Sequence, residues 1–273
     1  VNLEKGKIQL PSKIIGLYVI KMSAYSIYFS PTNSTKEIVN LVANEFGSYQ
    51  EIDLSKKEDM VDQVFDADDV CVIGVPSYGG RVPGIALERM NKFKGNHAKA
   101  ILVVSYGNRA FEDTLKELAD NLSKRGFYCF AAIAAIAEHS IMHQFATGRP
   151  DANDKKELKG FTKKIIDKMN TDTANSELRL PGNYPYREYN GVPLKPKAGR
   201  SCTGCGVCAE ACPVEAISIE NPRKTNKDLC ISCMRCVKIC PSHSRKVNSF
   251  MVKVASKKLN AACQEEKENE LFI

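Results

Sequence analysis

Tryptophan is absent from this chain of 273 residues, so any stacking of a flat ligand on the protein falls to tyrosine. No window approaches the ~20 consecutive apolar residues that a membrane span needs. Neither G-x-G-x-x-G nor G-x-x-x-x-G-K-[ST] occurs, which excludes a dedicated dinucleotide domain and a P-loop. The formal net charge is +7, yet the basic residues are scattered among Glu and Asp and form no basic stripe with interleaved aromatics. Nucleic acid is therefore not expected as a partner. A secretory leader is only faintly imitated: Lys5, Lys7 and Lys13 precede the apolar run 14–20, but Lys21 and Met22 follow where a small-residue cleavage site belongs. Residues 1–21 read as a dispensable extension or an upstream start. Cysteine, too, is scarce through residues 1–198, where only Cys71 and Cys129 occur, both inside apolar runs and read as buried, inert thiols.

The last quarter is the opposite. The pattern C-x-x-C-x-x-C-x-x-x-C-P occurs as Cys202, Cys205, Cys208, Cys212, Pro213 and again as Cys230, Cys233, Cys236, Cys240, Pro241, and takes eight of the eleven cysteines. Three thiolates two residues apart on a tight loop converge on three corners of a cubane, and the fourth cannot reach. In two-cluster ferredoxins the fourth cysteine of each run ligates the other cluster. That assigns Cys202, Cys205, Cys208 and Cys240 to one 4Fe-4S cluster, and Cys230, Cys233, Cys236 and Cys212 to the second. Gly204 and Gly206 stand between the first three ligands, where unusual backbone angles are easiest without a Cβ. Zinc fits less well, because four thiolates from two knuckles give no reason for two identical runs ending in Cys-Pro. A disulfide framework lacks both a need at this length and a secretory signal. Cys263 has no partner pattern and is assigned no role.

Length suggests roughly two domains. From Ala24, strand-like segments at 24–29, 49–54, 70–75, 100–105 and 127–133 alternate with helical periods at 35–46, 56–65, 82–94, 110–125 and 154–170. This predicts an α/β fold with a five-stranded parallel sheet in which the nearly continuous apolar strands at 70–75 and 100–105 lie in the buried middle. The expected organisation is an extension over 1–21, the α/β domain over 22–170, a proline-rich linker over 171–199, the cluster domain over 200–246 and a helical tail over 247–273 that packs back onto the protein.

A second site is expected where the first strand runs into Ser30, Pro31, Thr32, Asn33, Ser34 and Thr35 before a helix. Hydroxyls, free N–H groups and the positive helix end hold a phosphate there without a lysine. After the third strand come Pro76, Ser77, Tyr78, Gly79 and Gly80, and after the fourth Tyr106, Gly107, Asn108 and Arg109. In a 2-1-3-4-5 sheet all three loops meet at the topological switch point, with Tyr78 and Tyr106 on either side of a flat ring.

These residues resemble the flavodoxin family, whose phosphate loop reads T/S-x-T-G-x-T and whose FMN ring is held by the loops after the third and fourth strands. From Met22 on, the chain is similar to fusions of flavodoxin with a bacterial two-cluster ferredoxin of α+β fold found in anaerobes. The runs Tyr106, Gly107, Asn108, Arg109; Pro181, Gly182, Asn183, Tyr184, Pro185; and Glu268, Asn269, Glu270, Leu271, Phe272 carry that likeness too. Asn33 replaces the loop glycine, and no tryptophan is present to stack. The resemblance implies FMN beside the two clusters, a cytoplasmic electron-transfer protein, and a low-potential redox partner such as ferredoxin or a ferredoxin-reducing enzyme. The alternatives are a flavin-dependent reductase acting on a small acceptor, or a docking module of a larger redox complex. Two oxidised cubanes and a flavin phosphate, each contributing about minus 2, bring the loaded protein near neutrality. Glu138, His139 and Ser140 border the ring in this reading, with His139 either a proton donor to reduced flavin or a solvent-exposed cap. His143 and Arg149 lie nearby with no better claim, and no nucleophile constellation is assigned.

Overall fold

The computed structural model describes residues 23–57, 62–171 and 178–273, together with the backbone at 14–15 and 18–19. The expected extension lies outside the described residues apart from the paired backbone of Ile14–Ile15 and Tyr18–Val19.

Six strands form the main sheet: β1 (Ala24–Tyr28), β2 (Tyr49–Asp53), β3 (Val70–Pro76), β4 (Lys99–Tyr106), β5 (Tyr128–Ile136) and β6 (Glu270–Phe272). Their order is β2-β1-β3-β4-β5-β6, the first five parallel, so the 2-1-3-4-5 arrangement expected of the sequence is the one observed. On one face α1 (Ser34–Ala43) and α4 (Ala152–Thr171) pack Ile38, Val39, Val42, Leu158 and Ile165 against Val72, Ile101, Val103 and Ile133. On the other, α2 (Gly84–Met90) and α3 (Thr114–Lys124) pack Ala86, Met90, Leu115 and Leu118 against Ile73, Leu102, Val104 and Ala132. Successive strand residues serve opposite faces, and because both faces are covered β3 and β4 are apolar almost throughout. Helix α1 crosses β3 at Gly74, where a Cβ would run into the Val39 and Thr35 side chains.

The helix expected over 56–65 is corrected at its end: Gln63–Val64 is instead a strand, pairing in parallel with Phe93–Lys94, while 58–61 lie outside the described residues. The fully buried Phe65 is boxed by the rings of Tyr25, Phe93 and Phe127, and this long-range packing overrides the local helical period. The same pairing ends α2 at Met90, short of the expected 94.

In the cysteine-rich region the ladder Lys197–Ala198 with Arg245–Lys246 closes a small unit. Each cysteine run forms one helical turn, α5 (Val207–Glu210) and α6 (Arg235–Lys238). It is fastened to the sheet domain by Arg89, whose guanidinium donates to the carbonyls of Leu54 and, at 2.8 Å, Pro213. The segment 178–196 carries no regular structure. It is nonetheless pinned, because Asp113 accepts from the backbone N–H of Asn183 at 2.8 Å and of Arg187 at 2.7 Å, and Tyr186 donates to Asp120 at 2.7 Å.

The tail departs from the helical reading. After α7 (Ser249–Leu259) it crosses back to the sheet and ends as β6, antiparallel to β5 with Leu271 opposite Ile133. Two buried asparagines hold it. Asn108 donates to the carbonyls of Cys263 at 3.0 Å and Glu265 at 2.8 Å and accepts from Lys267 N–H at 2.8 Å. Asn269 accepts from Ile136 N–H at 2.9 Å and donates to Asp154 at 2.9 Å and Glu157 at 2.7 Å. Asn269→Ala strips buried partners of their bonds, so chemical denaturation of the full chain should register a loss of roughly 2–4 kcal/mol. A change below about 0.5 kcal/mol would show that the tail is not held by this residue.

Candidate cofactor sites

The loops at the C-terminal ends of β1, β3, β4 and β5 border one open cavity of about 140 Å³. The turn after β1 contributes Pro31, Thr32, Ser34 and Thr35. Asn33 takes φ +75°, the left-handed conformation for which glycine is ordinarily used, and this lets the chain enter α1. Of the free first-turn donors, Lys36 N–H goes to Ser30 Oγ at 2.9 Å and Glu37 N–H to Asn33 carbonyl at 3.0 Å. Those of Ser34 and Thr35 remain for an anion at the positive helix end. Ser30 and Asn33 thus shape the turn without lining the cavity, and Thr35 Oγ1 is hydrogen-bonded to Ser105 Oγ at 2.7 Å.

After β3, Pro76, Ser77, Tyr78 and Gly79 line the cavity. Tyr78 and Arg81 exchange backbone bonds of 3.0 and 3.2 Å across Gly79 and Gly80, both at positive φ, a turn of the I′ kind. Glu117 locks it, accepting from Arg81 Nε at 2.8 Å, Arg81 Nη2 at 2.6 Å and Val82 N–H at 2.8 Å. A Cβ on Gly79 would run into the ring of Tyr189, which the pinned segment lays over the turn. Tyr189 lines the cavity, and sequence reasoning missed it.

The loop after β4 is where the expectations need correction. Gly107 lines the cavity, but Asn108 is spent on the tail and Arg109 on Glu112, at 2.8 and 2.7 Å; neither lines it, nor does Gly80. Tyr106 lines the cavity as expected, but it is 5% exposed, packs edge-on against Phe111 and directs its hydroxyl to the Glu268 carbonyl, so it serves the core as well. His139 is neither solvent-exposed cap nor ready acid. Burial pushes its imidazole down to about 4, and Nδ1 accepts from Ile141 and Met142 N–H at 3.1 and 3.2 Å. The neutral ring therefore carries its proton on Nε2. Glu138 staples the same loop, accepting from Gly148 N–H at 2.8 Å and meeting His143 at 2.5 Å.

Ile231 and Ser232, between Cys230 and Cys233 of the second cysteine run, line this same cavity. A second cavity behind them is lined by Cys212, Cys230, Cys233 and Cys236 together, the crossed set that the spacing assigns to one cluster. Burial pushes the Cys233 and Cys236 thiols up to about 12, with Cys212 and Cys230 thiolates adding to both, so four thiolates there require a metal-centred counterion. The charge logic runs the other way at Arg245. It is 1% exposed, forms no ion pair among the described residues, donates to Thr225 Oγ1 at 2.9 Å and to the Pro222 carbonyl, leaves Nε without a partner, and lies close enough to Cys236 to favour its thiolate. A buried guanidinium with neutral partners beside these sulfurs fits an anionic cluster. Cys240, of the other set, accepts from Ser242 Oγ and from the N–H groups of Arg245, Ser244 and Ser242; burial opposes them, yet its thiol is held below the usual range.

Two outcomes follow from this geometry. Unfolded, His139 takes up a proton near pH 6.5, whereas folded it resists until about 4. Stability of the flavin-free protein should accordingly be lost as pH falls from 6.5 towards 4, by about 3 kcal/mol at most, and His139→Gln should flatten that part of the profile. Denaturation midpoints at pH 7 and 5 check it. Cys212→Ala should perturb the paramagnetic signal of the cluster held by Cys230, Cys233 and Cys236 while sparing that of Cys202, Cys205 and Cys208; identical effects from Cys212→Ala and Cys202→Ala would overturn the crossing.

Comparison with known proteins bears on the cysteine region directly: residues 201–244 match the 4Fe-4S dicluster domain family. No curated protein matches the chain. Among solved structures it is similar to rubredoxin oxygen:oxidoreductase from the anaerobe Desulfovibrio gigas, at 14% identity and TM-score 0.38 over 54% of this chain and 36% of that one. It is similar also to oxidised flavodoxin 1 from Bacillus cereus, at 14% identity and TM-score 0.35 over 53% of this chain and 97% of that one. The flavodiiron core Flv1 from Synechocystis sp. PCC6803 gives 14% and 0.34, over 54% and 36%. The chain thus spans about a third of the two longer structures. Its strand order and the dicluster match together define its architecture: a flavodoxin-like parallel α/β sheet fused to a 4Fe-4S dicluster domain.

Proposed function

We propose that the protein carries electrons between its two 4Fe-4S clusters and an FMN held in the switch-point cavity, within the cytoplasm and in exchange with a low-potential redox protein such as ferredoxin. The observation that carries this reading is the shared wall: Ile231 and Ser232, flanked by two ligands of one cluster, line the cavity that the phosphate turn and Tyr78 also line. Burial raises the Tyr78 phenol, and the Cys233 thiolate is close enough to raise it further, which supports a short path from the cluster loop to the cavity. The cluster of Cys230, Cys233, Cys236 and Cys212 is then the flavin's immediate neighbour, and that of Cys202, Cys205, Cys208 and Cys240 the outer relay.

Bound flavin would supply the chemistry of accepting one or two electrons. The N–H groups of Ser34 and Thr35 with the Thr32 hydroxyl would hold its phosphate, and Tyr78, Gly79 and Gly107 would border its ring. His139, neutral with Nε2–H as donor, orients a polar edge and releases no proton at neutral pH. Tyr189 and the Ile231–Ser232 loop line the cavity and would limit water's access to a bound flavin. In this reading 22–170 is the flavin domain, 200–246 the cluster domain, 171–199 the strap that places one on the other, and 247–273 the tail that closes them.

Anaerobic protein should contain about eight irons, eight acid-labile sulfides and one FMN per chain, and reductive titration should take up about four electrons. A low-potential donor should fill them quickly, and NADH or NADPH slowly or not at all. Zinc without labile sulfide would sink the cluster assignment. Rapid reduction by NADPH with turnover of a small acceptor would establish the reductase reading instead.

A further inference from the structure

The lysines beside the cluster unit are arranged at a cost that folding does not explain. Lys197 and Lys246 are directly opposite in the antiparallel ladder that closes the cluster unit, and like charges so placed destabilise it. Both are exposed, and with Lys195 and Lys227 they line one groove whose wall contains no carboxylate. Among the described residues, Lys197, Lys227 and Lys246 form no ion pair.

The groove is built on cluster ligands. Lys195 donates to the Cys230 carbonyl, and Gly199, in its floor, accepts from Cys202 N–H at 3.2 Å. Beside it the first turns of α7 present Phe250, 73% exposed, with Met251 and Val254 also uncovered. Apolar contact next to a charged rim is the anatomy of a protein interface rather than of a small-anion site. Charge complementarity then decides the occupant.

We propose that this groove and the start of α7 form the docking face for an acidic one-electron carrier protein, an inference that rests on the electron-transfer reading above. One electron leaves the carrier's reduced cluster and enters this chain's outer cluster; no bond is made or broken and no proton moves. Unpaired lysines raise the encounter rate by attraction, so the effect belongs to association and is screened by salt.

The test uses the loaded full chain and the triple variant Lys197→Glu, Lys227→Glu, Lys246→Glu, none of them a cofactor ligand. Reduction by a pre-reduced acidic two-cluster ferredoxin is followed by stopped flow. The wild-type rate should fall at least tenfold between low and high salt, and the variant should be at least tenfold slower at low salt. Photoreduction by the neutral radical of deazariboflavin, formed in light from a sacrificial amine donor that supplies the electrons, should be the same in both. An unchanged variant rate, or a salt-independent wild-type rate, would overturn the docking face. So would loss of binding to anionic phosphatidylglycerol vesicles with carrier rates unaltered, which would make the groove a membrane contact. Iron and sulfide content and cluster-to-flavin transfer are measured in the same samples. Their failure would sink the underlying reading, whereas intact transfer with unaltered carrier rates would sink this proposal alone.

Discussion

The contact of the second cysteine run with the end of the parallel sheet is what the other features of this molecule serve. Electron transfer depends on how near two cofactors are held, and here nearness is a matter of side-chain packing between two modules. Arg89 clamps the carbonyl after Cys212, Lys195 the carbonyl of Cys230, and the 178–196 segment lays Tyr189 against Gly79. The Lys195 bond adjoins the short stretch around Ile231 and Ser232, which belongs at once to a cluster loop and to the switch-point cavity, and Tyr189 lines that same cavity. The tail extends the same logic: by ending as β6 it ties the cluster unit to the far edge of the sheet and prevents the modules from swinging apart.

What was legible in the sequence was what local spacing controls. The parallel α/β class follows from alternating apolar periods and the requirement to bury both faces of the sheet, the strand order accords with the flavodoxin resemblance, and the doubled cysteine run follows from the shape of a cubane. What was not legible depends on distant partners. Asn108 reads as a ligand-loop residue because it follows β4, yet its partners are 155 to 159 residues away in the tail. Tyr189 sits in a stretch without periodicity, and only its packing over Gly79 gives it a place in the site. Ile231 and Ser232 look like spacers between ligands, and nothing local marks them as a wall of another cavity. The strand at Gln63–Val64 replaced a helical period because three aromatic rings enclose Phe65.

The electrostatics distinguish the two cofactor positions. At the switch point the protein offers dipoles and neutral groups: free N–H groups at a helix start, hydroxyls, and an imidazole that burial keeps uncharged. Such an environment holds a phosphate and a ring without adding a fixed cation beside it. At the inner cluster it commits a formal charge, the buried Arg245, whose backbone N–H also reaches Cys240 of the other ligand set. A buried guanidinium with only the Thr225 hydroxyl and the Pro222 carbonyl as partners still carries a desolvation penalty, and negative charge on the neighbouring sulfurs offsets it. Zinc held by four thiolates carries the same overall charge, so the arginine marks thiolate charge and does not identify the metal. What sets two cubanes apart is the match of 201–244 to the 4Fe-4S dicluster domain family, together with a doubled run that supplies eight ligands.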